Sequence, residues 1–201
     1  MGTARTARDH QREDTRRQIV AAAVHAFAEG GFDGTSTRGI AKRAGVTQGL
    51  VTYHFASKDD LWRSAVDALF AALDVAMPID TQDEGHGQPD VSVARLVLHA
   101  YVSFSARHPE LFQIMVDSGR HDDDRMRWVV DRHLRSRFEA FARLAGIDAS
   151  ANFAHVYYAV VGAASLISAV APECRALTGV DPLTEQAIRR HADLIADLMM
   201  L

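Results

Sequence analysis

The chain has little cysteine, little proline and no long apolar run. Cys174 is the single cysteine among 201 residues, which excludes an intrachain disulfide and a cysteine-cluster metal site. A reducing cytoplasm fits this composition best. No uninterrupted apolar run reaches the roughly 18 residues of a membrane span. The first 18 residues carry arginines and acids without an apolar stretch, so they do not resemble a signal peptide. We therefore expect a cytoplasmic protein without a membrane partner.

The scarcity of proline, with only 5 in the chain, and the rarity of alternating β-branched residues favour helices over strands. Apolar residues recur at helical intervals in most of the chain, and the pattern contains no convincing strand. We predict an all-α fold of about nine helices. They are expected at about residues 14–30, 38–44, 48–55, 57–75, 93–104, 109–116, 126–141, 151–170 and 188–199, with a loop at 77–90.

The charge is distributed unevenly along the chain. The whole chain carries a net charge of −4, but residues 1–65 carry +3 and the remainder carries −7. An anionic polymer would therefore meet the front of the protein. A chance fluctuation of a few surface charges explains the same numbers about equally well.

Two short predicted helices are joined by a tight turn, Ala44-Gly45-Val46. Hydroxyl side chains before each helix can cap it, and a turn of about three residues containing Gly sets two helices at the steep angle of a helix-turn-helix motif. The second helix presents small or polar side chains from its first turns, as a helix in the major groove must. These candidate base-reading residues are Thr47, Gln48, Gly49 and Thr52.

The region around this motif closely resembles the DNA-binding domain of the TetR (tetracycline repressor) family. The resemblance rests on the following residues: Ile19, Ala23 and Phe27 of the first helix, Gly31-Phe32, Ile40-Ala41, Ala44-Gly45-Val46, Gly49, Tyr53-His54-Phe55 and Ser57-Lys58. It implies a helix-turn-helix domain followed by a C-terminal helical domain for ligand binding and dimerisation.

The resemblance also implies roles for individual residues. Thr37, Tyr53, His54 and Lys58 stand where the family contacts the DNA backbone, and Arg38 stands where some members read a base. Taken alone, Tyr53 and His54 would instead be an ordinary packed aromatic pair. Many members have Lys in place of Gln48 and Tyr in place of Thr52, so sequence preference cannot be transferred. Ile40, Val46, Leu50 and Phe55 are interpreted as the core of the small domain.

The eighth predicted helix is apolar on two sides, so it needs two packing partners. One partner is the core of the chain, and a second copy of the chain would supply the other; a helix wholly inside a monomer is the alternative. TetR-family members dimerise through their last two helices. The expected dimer residues are Ala159, Gly162, Ala163, Leu166, Ile188, Ile195 and Met199.

The family usually encloses a small-molecule pocket in its C-terminal domain. Aromatic and methionine side chains are the candidates for lining it, although an apolar stripe at helical spacing is more often core than pocket. The candidate ligand-binding residues are Phe70, Tyr101, Phe104, Phe112, Met115, Trp128 and Tyr157. The scattered histidines lack a repeated ligand spacing, so we predict neither a metal nor a cofactor.

Three segments are expected: a flexible basic arm at 1–13, a helix-turn-helix DNA-binding domain at 14–56, and a helical regulatory and dimerisation domain at 57–201. The predicted function is a transcriptional repressor that binds a palindromic DNA operator as a homodimer and is released by a small, largely apolar effector. A ligand-independent DNA-binding protein or an activator would share the same front domain. An all-helical enzyme is the weaker alternative, because no catalytic constellation is evident and no Gly-rich phosphate loop follows a strand.

Overall fold

The computed structural model describes residues 3–77, 91–147 and 151–199. Its regular elements within these ranges are all helical, which confirms the all-α prediction. They are α1 (Thr3–Gly34), α2 (Thr37–Ala44), α3 (Gln48–His54), α4 (Lys58–Ala76), α5 (Val91–Arg107), α6 (Pro109–Ser118), α7 (Asp124–Val129), a π-helical turn (Val130–Leu134), α8 (Arg135–Ala145), α9 (Ala151–Ala169), α10 (Ala171–Thr178) and α11 (Glu185–Met199). The loop expected at 77–90 lies, except for Met77, outside the described residues.

Two of the helical predictions need correction. The first helix begins at Thr3 rather than near Asp14, so residues 3–13 of the expected flexible arm are helical. This segment lacks apolar periodicity, but alanine, arginine and glutamine favour helix without it. Secondly, α9 ends at Ala169, as expected, but a further short helix that was not predicted, α10, follows it. Pro172 lies in the first turn of α10, where its missing N–H costs no helical hydrogen bond. Because α7, the π-helical turn and α8 are continuous, the described part of the chain contains ten separate helices instead of nine.

The chain forms two compact units. The first contains the described residues up to Leu69 together with Gln113–His121, and the second contains the other described residues. The boundary in the main chain therefore falls inside α4. The functional division expected between residues 56 and 57 stays a prediction.

The first unit has its own apolar core. Its largest fully buried side chains are Trp62, Phe27, Ile19, Ile40, Leu61, Val51, Val66 and, from α6, Ile114. The N–H of Phe32 donates to the Asp117 carboxylate of α6 at 3.4 Å. α1 is interrupted just before this bond, at Gly31, whose backbone angles are φ 65° and ψ −179°.

The second unit is built around α5, α9 and α11. Val102 and Ala106 of α5 pack with Ala164 of α9 and with Ile188 and Ala192 of α11. A neighbouring cluster holds Leu98, Ile195 and Ala196, with Val160 and Ala163 against it. No single described helix is long and apolar enough to cross a membrane; only α9 and α10 taken together, with a 72° bend between them, reach that length and composition.

Candidate nucleic-acid interface and ligand cavity

The turn between α2 and α3 has the geometry of a helix-turn-helix. Ser36 caps α2 by accepting a hydrogen bond of 3.0 Å from the N–H of Gly39. α2 ends at Gly45, which is left-handed (φ 66°, ψ 26°), and Val46 N–H then donates to the Ala41 carbonyl at 3.0 Å. Thr47 Oγ1 accepts at 3.4 Å from Leu50 N–H. Local capping and one glycine therefore fix where α2 ends and where α3 begins.

α3 buries one side and exposes the residues predicted to read bases. The exposed fraction of Val51 is 1 %, and Phe55, which follows the helix, is also buried. The side chains on the remaining surface point to solvent; they are Thr47, Gln48, Thr52 and Tyr53, with Gly49 exposed among them. This arrangement leaves the N-terminal turns of α3 free to enter a groove of DNA, and their role in base reading stays a prediction.

Two of the four residues expected in the small core are not fully buried. Ile40 and Phe55 are buried, as predicted, but Leu50 is 40 % exposed and Val46 is half-buried. Successive residues of an α-helix are rotated by about 100°, so Leu50 is turned away from the side on which Val51 is buried. The expectation for Leu50 was wrong.

The predicted backbone-contact residues have different exposures. Arg38 is exposed, and Thr37, His54 and Lys58 are half-buried. The Tyr53 ring packs edge-on against His54, with 5.1 Å between ring centroids, yet Tyr53 is 65 % exposed. Tyr53 therefore packs against His54 and still exposes most of its surface to solvent. Lys58 Nζ lies 4.3 Å from the Phe32 ring centroid, a cation–π contact that holds its position.

Two arginines of α1 that are not among the predicted site residues adjoin this surface. The guanidinium carbon of Arg12 lies 5.6 Å from the Tyr53 ring centroid, and that of Arg16 lies 5.1 Å from the Phe55 ring centroid. Desolvation lowers the pKa of His54, and the positive charges of these two arginines lower it further. Arginine recurs at every fourth position in this part of the sequence, and this spacing could have indicated that these side chains share one side of a helix.

A cavity of about 310 Å³ lies within the second unit, between α5, α8 and α9. Tyr101 and Tyr157 line it, together with apolar side chains such as Val97, Phe141 and Val160. No charged side chain is among its lining residues in the part of the chain that the structure describes. A cavity with such a lining favours binding of an apolar molecule.

The two tyrosine hydroxyls of the cavity are placed differently. Ser165 Oγ donates to the Tyr101 hydroxyl at 3.3 Å and lies 3.1 Å from Ser105 Oγ. Burial raises the pKa of Tyr101 and of Tyr157, so both phenols are neutral at pH 7. The Tyr157 ring packs on Phe138 and other rings, and its hydroxyl has no hydrogen bond to the described residues. Tyr157 is therefore the free polar group of the cavity.

The other candidate ligand residues lie outside this cavity. Phe70 is buried and stacks on His133 at 4.3 Å, and Trp128 meets the same imidazole edge-on at 5.4 Å. Phe104 is buried against His108 at 4.7 Å. Phe112 and Met115 are half-buried on α6. Of the seven candidates, Tyr101 and Tyr157 line this cavity, and ligand binding by the other five stays a prediction.

The residues expected in a dimer interface fall into two groups. Ala159 and Leu166 of α9 are exposed, and Gly162 and Ala163 are half-buried. Ile188 and Ile195 are buried in the core of their own chain, so their assignment to an intermolecular surface is corrected. The side chain of Met199 lies outside the described residues. On α11 the large exposed apolar side chains are instead Leu194 and Leu198.

Comparison with known proteins identifies the family of this chain. Residues 19–65 match the family described as bacterial regulatory proteins, tetR family. The chain is 32 % identical over 134 residues to the HTH-type transcriptional repressor Rv3405c of Mycobacterium tuberculosis, covering 61 % of this chain and 71 % of that protein. The chain therefore belongs to the TetR family.

Two further similarities are more limited. The chain is 37 % identical over 73 residues to the HTH-type transcriptional regulator TtgR of Pseudomonas putida, covering 36 % of this chain but only 35 % of TtgR. The crystal structure of AibR in complex with isovaleryl coenzyme A and operator DNA covers 92 % of this chain and 97 % of AibR, with a TM-score of 0.66 and 16 % identity. The second similarity shows the shared fold alone.

Proposed function

We propose that this chain is a cytoplasmic DNA-binding transcriptional regulator, a repressor that binds a palindromic operator as a homodimer and is released by a small, largely apolar effector. The observation that carries the proposal is α3, which buries Val51 and exposes Gln48, Thr52 and Tyr53 at the end of a capped helix-turn-helix. Membership of the TetR family supports it. Residues 14–56 would bind DNA, and 57–201 would dimerise and hold the effector.

Two kinds of DNA contact follow from the different positions of these side chains. Gln48 can form paired hydrogen bonds with a base edge, whereas Lys58 and Tyr53 are placed to contact phosphates. Gln48→Ala should cost about 1–3 kcal/mol at one base position and relax the preference there. Tyr53→Ala should weaken binding to all sequences about equally.

The experiment is fluorescence anisotropy with a duplex from the region upstream of the protein's own gene, and with single-base variants of it. Arg189→Ala is the matched control, because Arg189 is an exposed arginine of α11. Absence of binding at low salt would contradict the proposed function. An equal loss for Gln48→Ala on every duplex would contradict the base-reading role.

Dimerisation is supported by exposed apolar side chains on the last helices. Leu166 of α9 is 53 % exposed, and Leu194 of α11 is 54 % exposed. Such residues on helices at one end of the chain fit a two-fold interface between copies. Leu166→Glu should yield monomers in light scattering at tens of micromolar protein, and Val75→Glu, at a more exposed apolar position of α4, should not. A wild-type monomer would contradict the interface.

The effector proposal rests on the cavity of α5, α8 and α9. AibR binds isovaleryl coenzyme A, but the cavity here has no charged lining residue, within the described part of the chain, that could pair with the phosphates of such a ligand. We infer a compact, uncharged effector, with the Tyr157 hydroxyl as its hydrogen-bond partner. About 310 Å³ is at the small end of ligand pockets.

Thermal shift with 2-naphthol and with its charged analogue 2-naphthoate tests this inference. We expect the neutral compound to raise the melting temperature and the anion not to do so. A true effector must also bind more weakly when operator DNA is present, because coupling between two sites is reciprocal. Stabilisation that leaves DNA affinity unchanged would favour a ligand-independent regulator.

A further inference from the structure

The N-terminal turns of α1 carry a line of arginines on one side of the helix. Arg8, Arg12 and Arg16 are spaced by four residues, so they follow one side, and the same line continues through Ile19 and Ala23. Those two residues are fully buried in the core of the first unit. One side of α1 is therefore apolar and buried in the core of the first unit, and the same side carries arginines nearer the N-terminus of the helix.

This arginine line leads directly to the exposed end of α3. Arg16 is held in place, because its guanidinium donates to Ser64 Oγ at 3.2 Å and lies over the Phe55 ring. One turn earlier, Arg12 lies over the ring of Tyr53, which is 65 % exposed. Arg8, a further turn out, is exposed. The positive groups therefore extend the surface that Tyr53 belongs to.

The charges of Arg8 and Arg12 are not neutralised by an ion pair to any residue that the structure describes. Arg17, on a different side of α1, pairs with Asp14. Asp9 and Glu13 are the nearest acids in sequence, and Glu13 acts on His54 electrostatically. Uncompensated guanidinium groups are the side chains best suited to bind phosphate oxygens.

We propose that the N-terminal turns of α1 are a second DNA-contact element, in which Arg8 and Arg12 bind phosphates of the duplex beside the site of α3. This inference rests on the proposed function. Four residues of helix rise about 6 Å, so the two guanidinium groups can reach separate phosphates. The element lies outside residues 19–65, which match the family, and its contacts are independent of base sequence.

The test is the salt dependence of DNA binding by the double variant Arg8→Gln, Arg12→Gln. Each phosphate contact contributes about 0.9 to the slope of log affinity against log salt concentration. The slope of the double variant should therefore be less steep than that of the wild type by about 1.8 for each bound protomer. Equivalently, the ratio of wild-type affinity to variant affinity should fall about 12-fold for each bound protomer when the salt concentration rises from about 50 to about 200 mM. The ratio of affinities for operator and unrelated duplex should stay unchanged.

Two matched variants separate charge from helix structure. Arg17→Gln removes an arginine of α1 that is already paired, and its slope should equal that of the wild type. Arg8→Lys, Arg12→Lys keeps both charges and should keep most of the slope. Far-UV circular dichroism checks the helix content, which glutamine should preserve as a good helix former.

The outcomes distinguish this inference from the proposed function. A wild type that binds its upstream duplex, with the same slope in the Gln double variant, would overturn the role of α1 and leave the repressor proposal standing. An equal loss in the Lys variant would also overturn it, since charge is retained. A wild type that binds no DNA would overturn both.

Discussion

Gly31 interrupts α1 in a backbone conformation that only glycine adopts readily. Its φ of 65° and ψ of −179° lie in a region that is essentially restricted to glycine. A Cβ at this position would lie 2.8 Å from Asp117 Oδ2. The same carboxylate accepts the hydrogen bond from Phe32 N–H. Gly31→Ala therefore strains the backbone and displaces the acceptor of a hydrogen bond between α1 and α6.

The expected loss of stability can be worked from these two effects. The backbone strain costs about 1–3 kcal/mol. Displacing the carboxylate from Phe32 N–H adds about 1–2 kcal/mol, below the range for a well-buried charged hydrogen bond because the Asp117 side chain is partly exposed. The sum is about 2–5 kcal/mol, a large part of the roughly 5–15 kcal/mol that stabilises a domain.

Gly45→Ala is the matched comparison. Gly45 is also left-handed, at φ 66°, but a Cβ there meets no atom within 4 Å. Its cost should be the conformational one alone, about 1–2 kcal/mol, and Gly45→Asn should cost less, because asparagine tolerates this conformation. Urea denaturation followed by circular dichroism gives the free energy of unfolding of each variant. A Gly31→Ala protein at least as stable as Gly45→Ala would refute the reasoning.

Three further predictions concern titration, buried polarity and the cavity. Because the pKa of His54 is lowered in the folded protein, the unfolded chain binds more protons as the pH falls through the ordinary histidine range, so stability should drop between about pH 7.5 and 5.5. Urea denaturation across this range should show a smaller drop for His54→Gln, and an equal drop would contradict the assignment. Ser165→Ala removes the hydroxyl shared with Tyr101 and Ser105 and should cost about 1–3 kcal/mol in thermal unfolding; an unchanged melting temperature would show that these hydroxyls find other partners. Val160→Trp fills the cavity and should abolish stabilisation by 2-naphthol while leaving DNA affinity in anisotropy unchanged, whereas retained stabilisation would place the ligand elsewhere.

The helix-turn-helix could be predicted from the sequence because its determinants are local. Ser36 and Thr47 cap the two helices through hydrogen bonds to residues three positions further on. Gly45 supplies the left-handed turn between them. Such interactions involve neighbours along the chain, so residue types in order are enough to define them. The exposure of Gln48 follows from the same local register.

Tertiary structure decided which surface each amphipathic stripe meets. The periodicity of α11 marks Ile188 and Ile195 as one apolar side, but only packing against α5 shows that this side belongs to the chain's own core and that Leu194 is left exposed. Helical periodicity shows that one side of a helix is apolar, but it does not show which surface that side packs against. The approach of Arg12 to Tyr53 is likewise decided by how α1 packs on α3, since residues far apart in sequence come together only through the core they share.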